Sequence, residues 1–320
     1  MKVLVTPTSL SRTPDAPALR ALRAEVDEVV LNPYARPLTA AELAELLPGV
    51  DGVIAGLDEY SAEALAAADR LKVIARYGVG VDRVDLAAAA EHGIVVTRTP
   101  GANSLSVAEL TIGLAFAVAR GIAVADAGVR AGGWPRIDGR ELTGATFGVV
   151  GFGAIGRLVA ERARGLGMTP VAYDPFLPDA VFADIGVERL DLDDLCRRSD
   201  VVSLHVPLTE GTRHLIDARR LDLLPAGAIV INTARGGLLD EAAVRDALDG
   251  GALFGAAVDA YETEPPSASP LVGHPRVVST PHSGGHTREA VQRMTDQSIA
   301  DLLAVLRGSG SPHAVSPIHP

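Results

Sequence analysis

The 320-residue chain is 48% hydrophobic and 22% charged, and its 29 basic against 40 acidic residues leave a net charge of −11. That length suits about two ordinary domains, and the acidic balance argues against a general polyanion-binding surface, so nucleic acid is not expected as a partner. A single cysteine, Cys196, excludes an internal disulfide and a cysteine-based metal cluster, and it reads as a small buried hydrophobe of a cytosolic protein.

The start, MKVLVTPTSLSRTPDAP, breaks after four apolar residues into Thr, Pro and Ser, so no signal peptide is expected. Nor does any apolar stretch approach the roughly 20 residues of a membrane-spanning helix. Short apolar runs follow at 2–5, 52–56, 72–75 and 93–97. Helical patterns around 16–25, 40–47, 61–69 and 85–91 lie between or beside them, a rhythm that predicts βαβ units on a parallel sheet. NSLSVAELTIGLAFAVAR (103–120) then predicts a helix with Asn103 and Ser104 as capping candidates. Apolar residues nearly encircle it, so both sides should be covered, between domains or at a subunit interface.

The rhythm restarts at ATFGVVGFG (145–153) and continues through TPVAYD (169–174), DVVSLHV (200–206), GAIVINT (227–233), FGAAVDA (254–260) and RVVST (276–280), predicting a second parallel sheet. A last helical pattern, about 286–307, comes after that sheet is complete and is expected to cross back to the first. The expected organisation is therefore α/β with two Rossmann- or flavodoxin-like domains: 1–98 with 286–320, and 99–285 inserted between them. The tail GSGSPHAVSPIHP reads as extended.

Gly151, Gly153 and Gly156 form G-x-G-x-x-G directly after an apolar run and directly before a helical one. The first glycine permits the tight turn, the second lets backbone approach a pyrophosphate, and the third allows close packing of helix on strand. The helix N-terminus would face the phosphates with its unpaired N–H groups. The next apolar run ends at Asp174, an acidic group that can accept from both adenosine ribose hydroxyls and would repel a 2′-phosphate. Pro175 and Phe176 supply no compensating cation, so NAD is expected rather than NADP.

At this point GFGAIG…YDP, HVPLTEGTRHLI (205–216), INTARGGLLDEAAVRDAL (231–248), GAAVDAYETEPP (255–266) and STPHSGG (279–285) stand in the chain in that order. Together they resemble the D-isomer-specific 2-hydroxyacid dehydrogenases. RYGVGVDRVDL (76–86) and TPGANSLSVAEL (99–110) look most like the phosphoglycerate dehydrogenase branch in its short form, without a regulatory domain. The resemblance covers about 70–310. It implies an NAD-binding domain inserted into a substrate domain, with the active site in the cleft and catalysis by Arg235, Glu264 and His282. It also implies cofactor contacts from Gly151, Gly153, Ala154, Ile155, Gly156, Asp174, Val206, Pro207, Thr233, Ala234, Asp259, His282 and Gly285. Substrate contacts are implied for Tyr77, Gly78, Val79, Gly80 and Arg235.

The chemistry suits those residue types. Reducing a 2-oxoacid builds negative charge on the carbonyl oxygen, and an imidazole can give that oxygen a proton near neutrality. A carboxylate beside the ring favours the imidazolium and fixes its orientation, the role assigned to Glu264. The Arg235 fork can hold the substrate carboxylate bidentately, and the glycines of the 77–80 loop can turn consecutive backbone N–H groups toward the same anion. His205 reads as structural or cofactor-adjacent, and His92, His214, His274, His286, His313 and His319 as surface or capping residues, with His286 opening the last helix. No metal site is expected.

Tyr77 is bulkier than the small residue often found at its place in the phosphoglycerate branch, and is expected to narrow the cleft or stack on substrate. Arg76 and Arg98 are candidate cations for a phosphate or phosphonate. The expected activity is reversible hydride transfer between NAD(H) and a small 2-oxoacid, of phosphoglycerate, glycerate or glyoxylate, or phosphonate-like type, in a cytoplasmic homodimer without membrane contact. The alternatives are a phosphite-type anion dehydrogenase and an NAD-sensing binding protein on the same fold.

Overall fold

The computed structural model describes residues 1–34 and 36–315, so His319 and the end of the tail lie outside the described residues. The chain divides into two compact units: residues 1–103 with the segment from Thr287 onward, and Ser104–His286.

Unit 1 carries β1 (Lys2–Val5), β2 (Glu28–Leu31), β3 (Gly52–Ala55), β4 (Val73–Arg76) and β5 (Val95–Thr97), all parallel in the order β2-β1-β3-β4-β5. β2 escaped the sequence reading because it is an edge strand with no fully buried residue, and so carries little of the apolar signature that marks β1 and β3. Leu43, Leu47, Tyr60 and Leu65 fill one face of the sheet. The helix Arg288–Leu306 packs Met294 and Leu302 on the other, beside Leu19 and Leu22. A side chain on Gly52 would meet Leu302 at 3.1 Å, so glycine sets how closely that helix approaches the sheet.

Thr287, not His286, opens this helix, its side chain accepting the Ala290 N–H; His286 lies in the preceding turn and donates its N–H to the Ser283 carbonyl. Past the helix, the tail lies antiparallel along β5: Val315 N–H donates to the Val96 carbonyl and Arg98 N–H to the His313 carbonyl. His313 is hydrogen-bonded to the buried Asp301 rather than loose on the surface.

Unit 2 carries β6 (Thr146–Val150), β7 (Thr169–Tyr173), β8 (Glu188–Arg189), β9 (Val201–Leu204), β10 (Ala228–Asn232), β11 (Leu253–Val258) and β12 (Val277–Ser279). They are parallel in the order β12-β11-β10-β9-β6-β7-β8. The chain runs outward through β6, β7 and β8, then returns to the other side of β6 as β9. The topological switch point is therefore between β6 and β9. β8, two exposed polar residues, gives no apolar run to read.

The helix Ser104–Ala119 packs on β10, β11 and the helix Ala154–Gly165, so its encircling apolar face is covered largely from within its own unit. It starts directly from a turn, and the Asn103 side-chain oxygen is buried without a partner, so the expected Asn103 cap is not made. The next helix, Ile122–Arg130, bends away by 66° and has no buried residue. No single helix among the described residues is long and apolar enough to cross a membrane.

Candidate active site

The β6 turn is shaped by what glycine leaves out. Gly151 has φ +93°, and a Cβ there would lie 2.6 Å from the His205 carbonyl oxygen, so only glycine lets the ends of β6 and β9 meet. A Cβ on Gly156 would lie 2.0 Å from the Gly151 oxygen, which brings the helix Ala154–Gly165 down onto the strand. At Gly153, the N-cap, a Cβ would meet nothing within 4 Å, and no side chain caps the N–H groups that lead into Ala154 and Ile155. Uncapped donors and the positive end of a helix dipole facing open space are what a pyrophosphate requires, so these residues fit a dinucleotide. Asp174 completes the turn, its two oxygens accepting the N–H groups of Phe152 and Phe176 at 3.0 Å each. That leaves lone pairs on both oxygens for ribose hydroxyls.

Val206 packs against the Gly151 turn, and the exposed Pro207 is fixed through its carbonyl, which accepts the Thr212 hydroxyl at 2.7 Å. His205 is the buried member of this loop. Its Nε2 bonds the Ser203 hydroxyl at 2.9 Å, its Nδ1 is buried without a partner, and burial drives its pKa down to about 3. The ring is therefore neutral and cannot serve as an imidazolium.

His282, Glu264 and Arg235 leave the carboxyl ends of β12, β11 and β10, three adjacent strands. His282 Nδ1 stands 2.8 Å and 3.1 Å from the two Glu264 carboxylate oxygens, and both side chains are about a quarter exposed, at 26% and 21%. With Nδ1 turned to the carboxylate, Nε2 is the atom left to carry a mobile proton. The histidine backbone is held by its own N–H donating to the Asp259 carbonyl and has φ +51°, a left-handed conformation uncommon outside glycine. Arg235 precedes a short helical turn; Asn232 Nδ2 donates to its carbonyl at 2.7 Å, and its own Nη1 donates to the Ala234 carbonyl at 2.8 Å.

Two expected cofactor contacts have other employment. Asp259 is 1% exposed, and its carboxylate accepts from the Thr280 hydroxyl at 2.6 Å and the N–H groups of Ser283 and Gly284 at 2.8 and 2.9 Å. It therefore anchors the loop that carries His282 and leads into Gly285. Thr233 is buried with its hydroxyl 2.9 Å from that of Thr111.

In unit 1, the Tyr77 ring is turned into the core and its hydroxyl donates to the Val291 carbonyl at 3.3 Å. Arg76, a candidate substrate cation, is 3% exposed: its Nε donates to the Gly80 carbonyl at 2.9 Å and its Nη1 to the carbonyls of Ala55 and Gly56. Thr99 N–H takes the Gly78 carbonyl at 2.9 Å. With both carbonyls pinned, the amides of Gly78, Val79 and Gly80 donate to no group among the described residues, a set of consecutive N–H groups suited to an anion. A charged residue closing an apolar run, KVIAR, was the signal that could have identified Arg76 as buried.

Other histidines are also employed structurally: His274 is 7% exposed and pairs with Asp249, and His214 pairs with Glu262 at 2.8 Å. Burial and the neighbouring His282 lower the pKa of His286. Among the described residues no cluster of His, Cys, Asp or Glu is arranged to hold a metal ion.

Sheet order, glycine turn and Asp174 define a dinucleotide-binding Rossmann unit, with a histidine–carboxylate pair at its strand ends. Residues 112–284 match the family model for the D-isomer specific 2-hydroxyacid dehydrogenase, NAD binding domain. The chain is 44% identical over 271 residues to a hydroxypyruvate reductase of Thermotoga maritima, covering 83% of this chain and 88% of that one. It is 43% identical over 297 residues to a D-3-phosphoglycerate dehydrogenase of Methanocaldococcus jannaschii, covering 91% of this chain but 56% of that protein. The chain thus spans about half the length of several of the curated relatives it matches. The solved structure of the TT0316 protein of Thermus thermophilus superposes with a TM-score of 0.85 at 40% identity, covering 98% of this chain and all of the other. The chain belongs to the D-isomer specific 2-hydroxyacid dehydrogenase family, and the cofactor of its matched domain is NAD.

Proposed function

We propose that the chain is an NAD-dependent D-2-hydroxyacid dehydrogenase acting on a small 2-oxoacid such as hydroxypyruvate, its phosphorylated form or glyoxylate. The bond between His282 Nδ1 and Glu264 carries this reading. When bound, NAD gives or takes the hydride. His282 Nε2 holds the proton destined for the carbonyl oxygen, Glu264 keeps the ring charged and oriented, and Arg235 holds the substrate carboxylate and polarises the ketone. The free amides of Gly78, Val79 and Gly80 serve as donors to the substrate anion, and Val79→Pro, which removes one donor, raises KM for the oxoacid.

The test is NADH consumption with glyoxylate, hydroxypyruvate, phosphohydroxypyruvate, pyruvate, phosphonopyruvate and, with NAD, phosphite. Reduction of at least one oxoacid is expected; NADH binding without turnover of any of them leaves a sensor, and turnover of phosphite alone leaves the anion dehydrogenase. Because the donor must be protonated, reduction falls as pH rises, and Glu264→Gln moves the fall to lower pH. An unmoved pH profile removes Glu264 from its role.

A homodimer in the cytosol completes the proposal. Ile122, Val124 and Val129 on the uncovered helix, with Trp134 and Ile137 after it, form an exposed apolar surface beside a cavity of about 340 Å³ lined in part by Phe254 and Val278. These exposed residues favour the Ile122–Arg130 helix over Ser104–Ala119 as the proposed contact. A monomer in sedimentation at micromolar concentration rejects it.

A further inference from the structure

Glu264 sits on the long loop between β11 and β12, which has no regular secondary structure to hold a carboxylate in place. One buried side chain grips that loop on both sides of Glu264. Glu241, the first residue of the helix Glu241–Asp249, is 6% exposed, and its Oε1 accepts the N–H of Glu262 at 2.9 Å while its Oε2 accepts the Ser269 hydroxyl at 2.5 Å. A carboxylate at the first turn of a helix is also favoured by the helix dipole. Three further contacts complete the brace. A Cβ on Gly236, next to Arg235, would lie 1.8 Å from the Tyr261 carbonyl carbon, so the Arg235 turn and the start of the loop touch backbone to backbone. Tyr261 N–H donates to Glu264 Oε1 at 3.2 Å, and on the solvent side His214 pairs with Glu262.

We infer that Glu241 is a positioning residue: through Glu262 and Ser269 it sets the Glu264 carboxylate against His282 and in register with Arg235. The inference rests on the function proposed above, but its geometry does not depend on which acid is reduced. Both donors to Glu241 flank Glu264, within two and five residues of it, and Glu241 lies six residues after Arg235 on the same strand-to-helix connection. Moving the carboxylate by a fraction of the 2.8 Å bond would weaken the imidazolium and misdirect Nε2, with substrate and cofactor contacts left intact.

The experiment compares Glu241→Gln, which replaces the charged acceptor at Ser269 by an amide donor, and Ser269→Ala, which removes that end of the grip, with Glu264→Gln and the double variant Glu241→Gln/Glu264→Gln. Asp259 and His286, the other titratable groups beside His282, are unchanged in all four. Two readouts are used. The first is the hydrogen-bonded Nδ1 proton of His282 in the NMR spectrum of the NAD-loaded protein, which needs no substrate. The second is kcat and KM for the best oxoacid. Glu241→Gln and Ser269→Ala are expected to shift or broaden that proton signal and to lower kcat by about tenfold to a hundredfold, with KM for NADH unchanged. In the Glu264→Gln background the added loss should shrink to little. Variants that fold with the wild-type proton signal and kcat overturn the inference, as does a loss that persists in full without Glu264. A wild type that reduces no oxoacid overturns the functional reading instead, and the proton signal still decides the brace.

Discussion

The two units present the same kind of place, a switch point in a parallel sheet, and treat it oppositely. In unit 1 the ends of β1 and β3 are plugged by the protein's own polar groups. Asp58, 1% exposed, accepts from the Thr6 hydroxyl, from Gly56 N–H at 3.0 Å and from Leu38 N–H at 2.8 Å, with the buried Tyr60 and Arg76 close by. In unit 2 the ends of β6 and β9 are cleared by glycines, and the donors there face open space. A switch point binds a ligand only if side chains leave it empty, and in unit 1 the open donors are instead one strand over, after β4.

The comparison is most directly broken by adding atoms where glycine leaves none. Gly156→Ala places a carbon against the Gly151 carbonyl and should cost unit 2 about 3 kcal/mol or more, seen as a lowered melting temperature and lost NADH binding. Emptying the plug is the converse. Asp58→Ala strips the buried Leu38 N–H of its acceptor, leaves Gly56 N–H only the Thr6 hydroxyl oxygen at 2.8 Å and the Thr6 hydroxyl only the Ile54 carbonyl at 3.4 Å, and should cost about 3 kcal/mol in unit 1, while NADH affinity stays near wild type. Equal loss of NADH binding would show that the plug supports more than its own unit.

His205 tests the buried loop that faces the Gly151 turn. Above pH 6.5 its ring is neutral whether folded or unfolded. Below that, the unfolded chain binds a proton that the folded ring refuses until about pH 3, so stability is lost as pH falls through this window. The slope should be about 1.4 kcal/mol per pH unit. Urea unfolding at pH 7 and pH 5 should show a shallower fall in His205→Gln; parallel slopes would mean that the ring becomes protonated in the fold. The smallest effect sharpens the comparison most. Gly153→Ala meets nothing within 4 Å, so the free protein should keep its stability while NADH affinity falls about tenfold, because the methyl occupies the ligand's space. Unchanged affinity would move the pyrophosphate away from this turn.

Much of this was legible in the chain itself. Buried parallel strands such as β3, β9 and β10 are continuous apolar runs, and the glycine triplet, Asp174 and the histidine motif lie in short contiguous segments whose meaning is local. β2 and β8 were not legible, because an edge strand is only partly buried and its composition shows it. The internal partners of Arg76, Tyr77 and Asp259 were not legible for a related reason: a polar residue at a strand end looks the same in sequence whether it faces a ligand or its own backbone.

The sequence by itself determined the class of fold and the glycine turn, since apolar periodicity and glycine chemistry act over a few residues, and its short motifs singled out Arg235, Glu264 and His282 as candidates. Only the tertiary structure decided what each charged group is paired with. Asp58 meets Thr6 across 52 residues, Glu241 meets Ser269 across 28, and Glu264 meets His282 across 18. Such pairings depend on which strand ends the sheet order brings side by side, and a buried charge keeps whichever partner desolvation forces it to find.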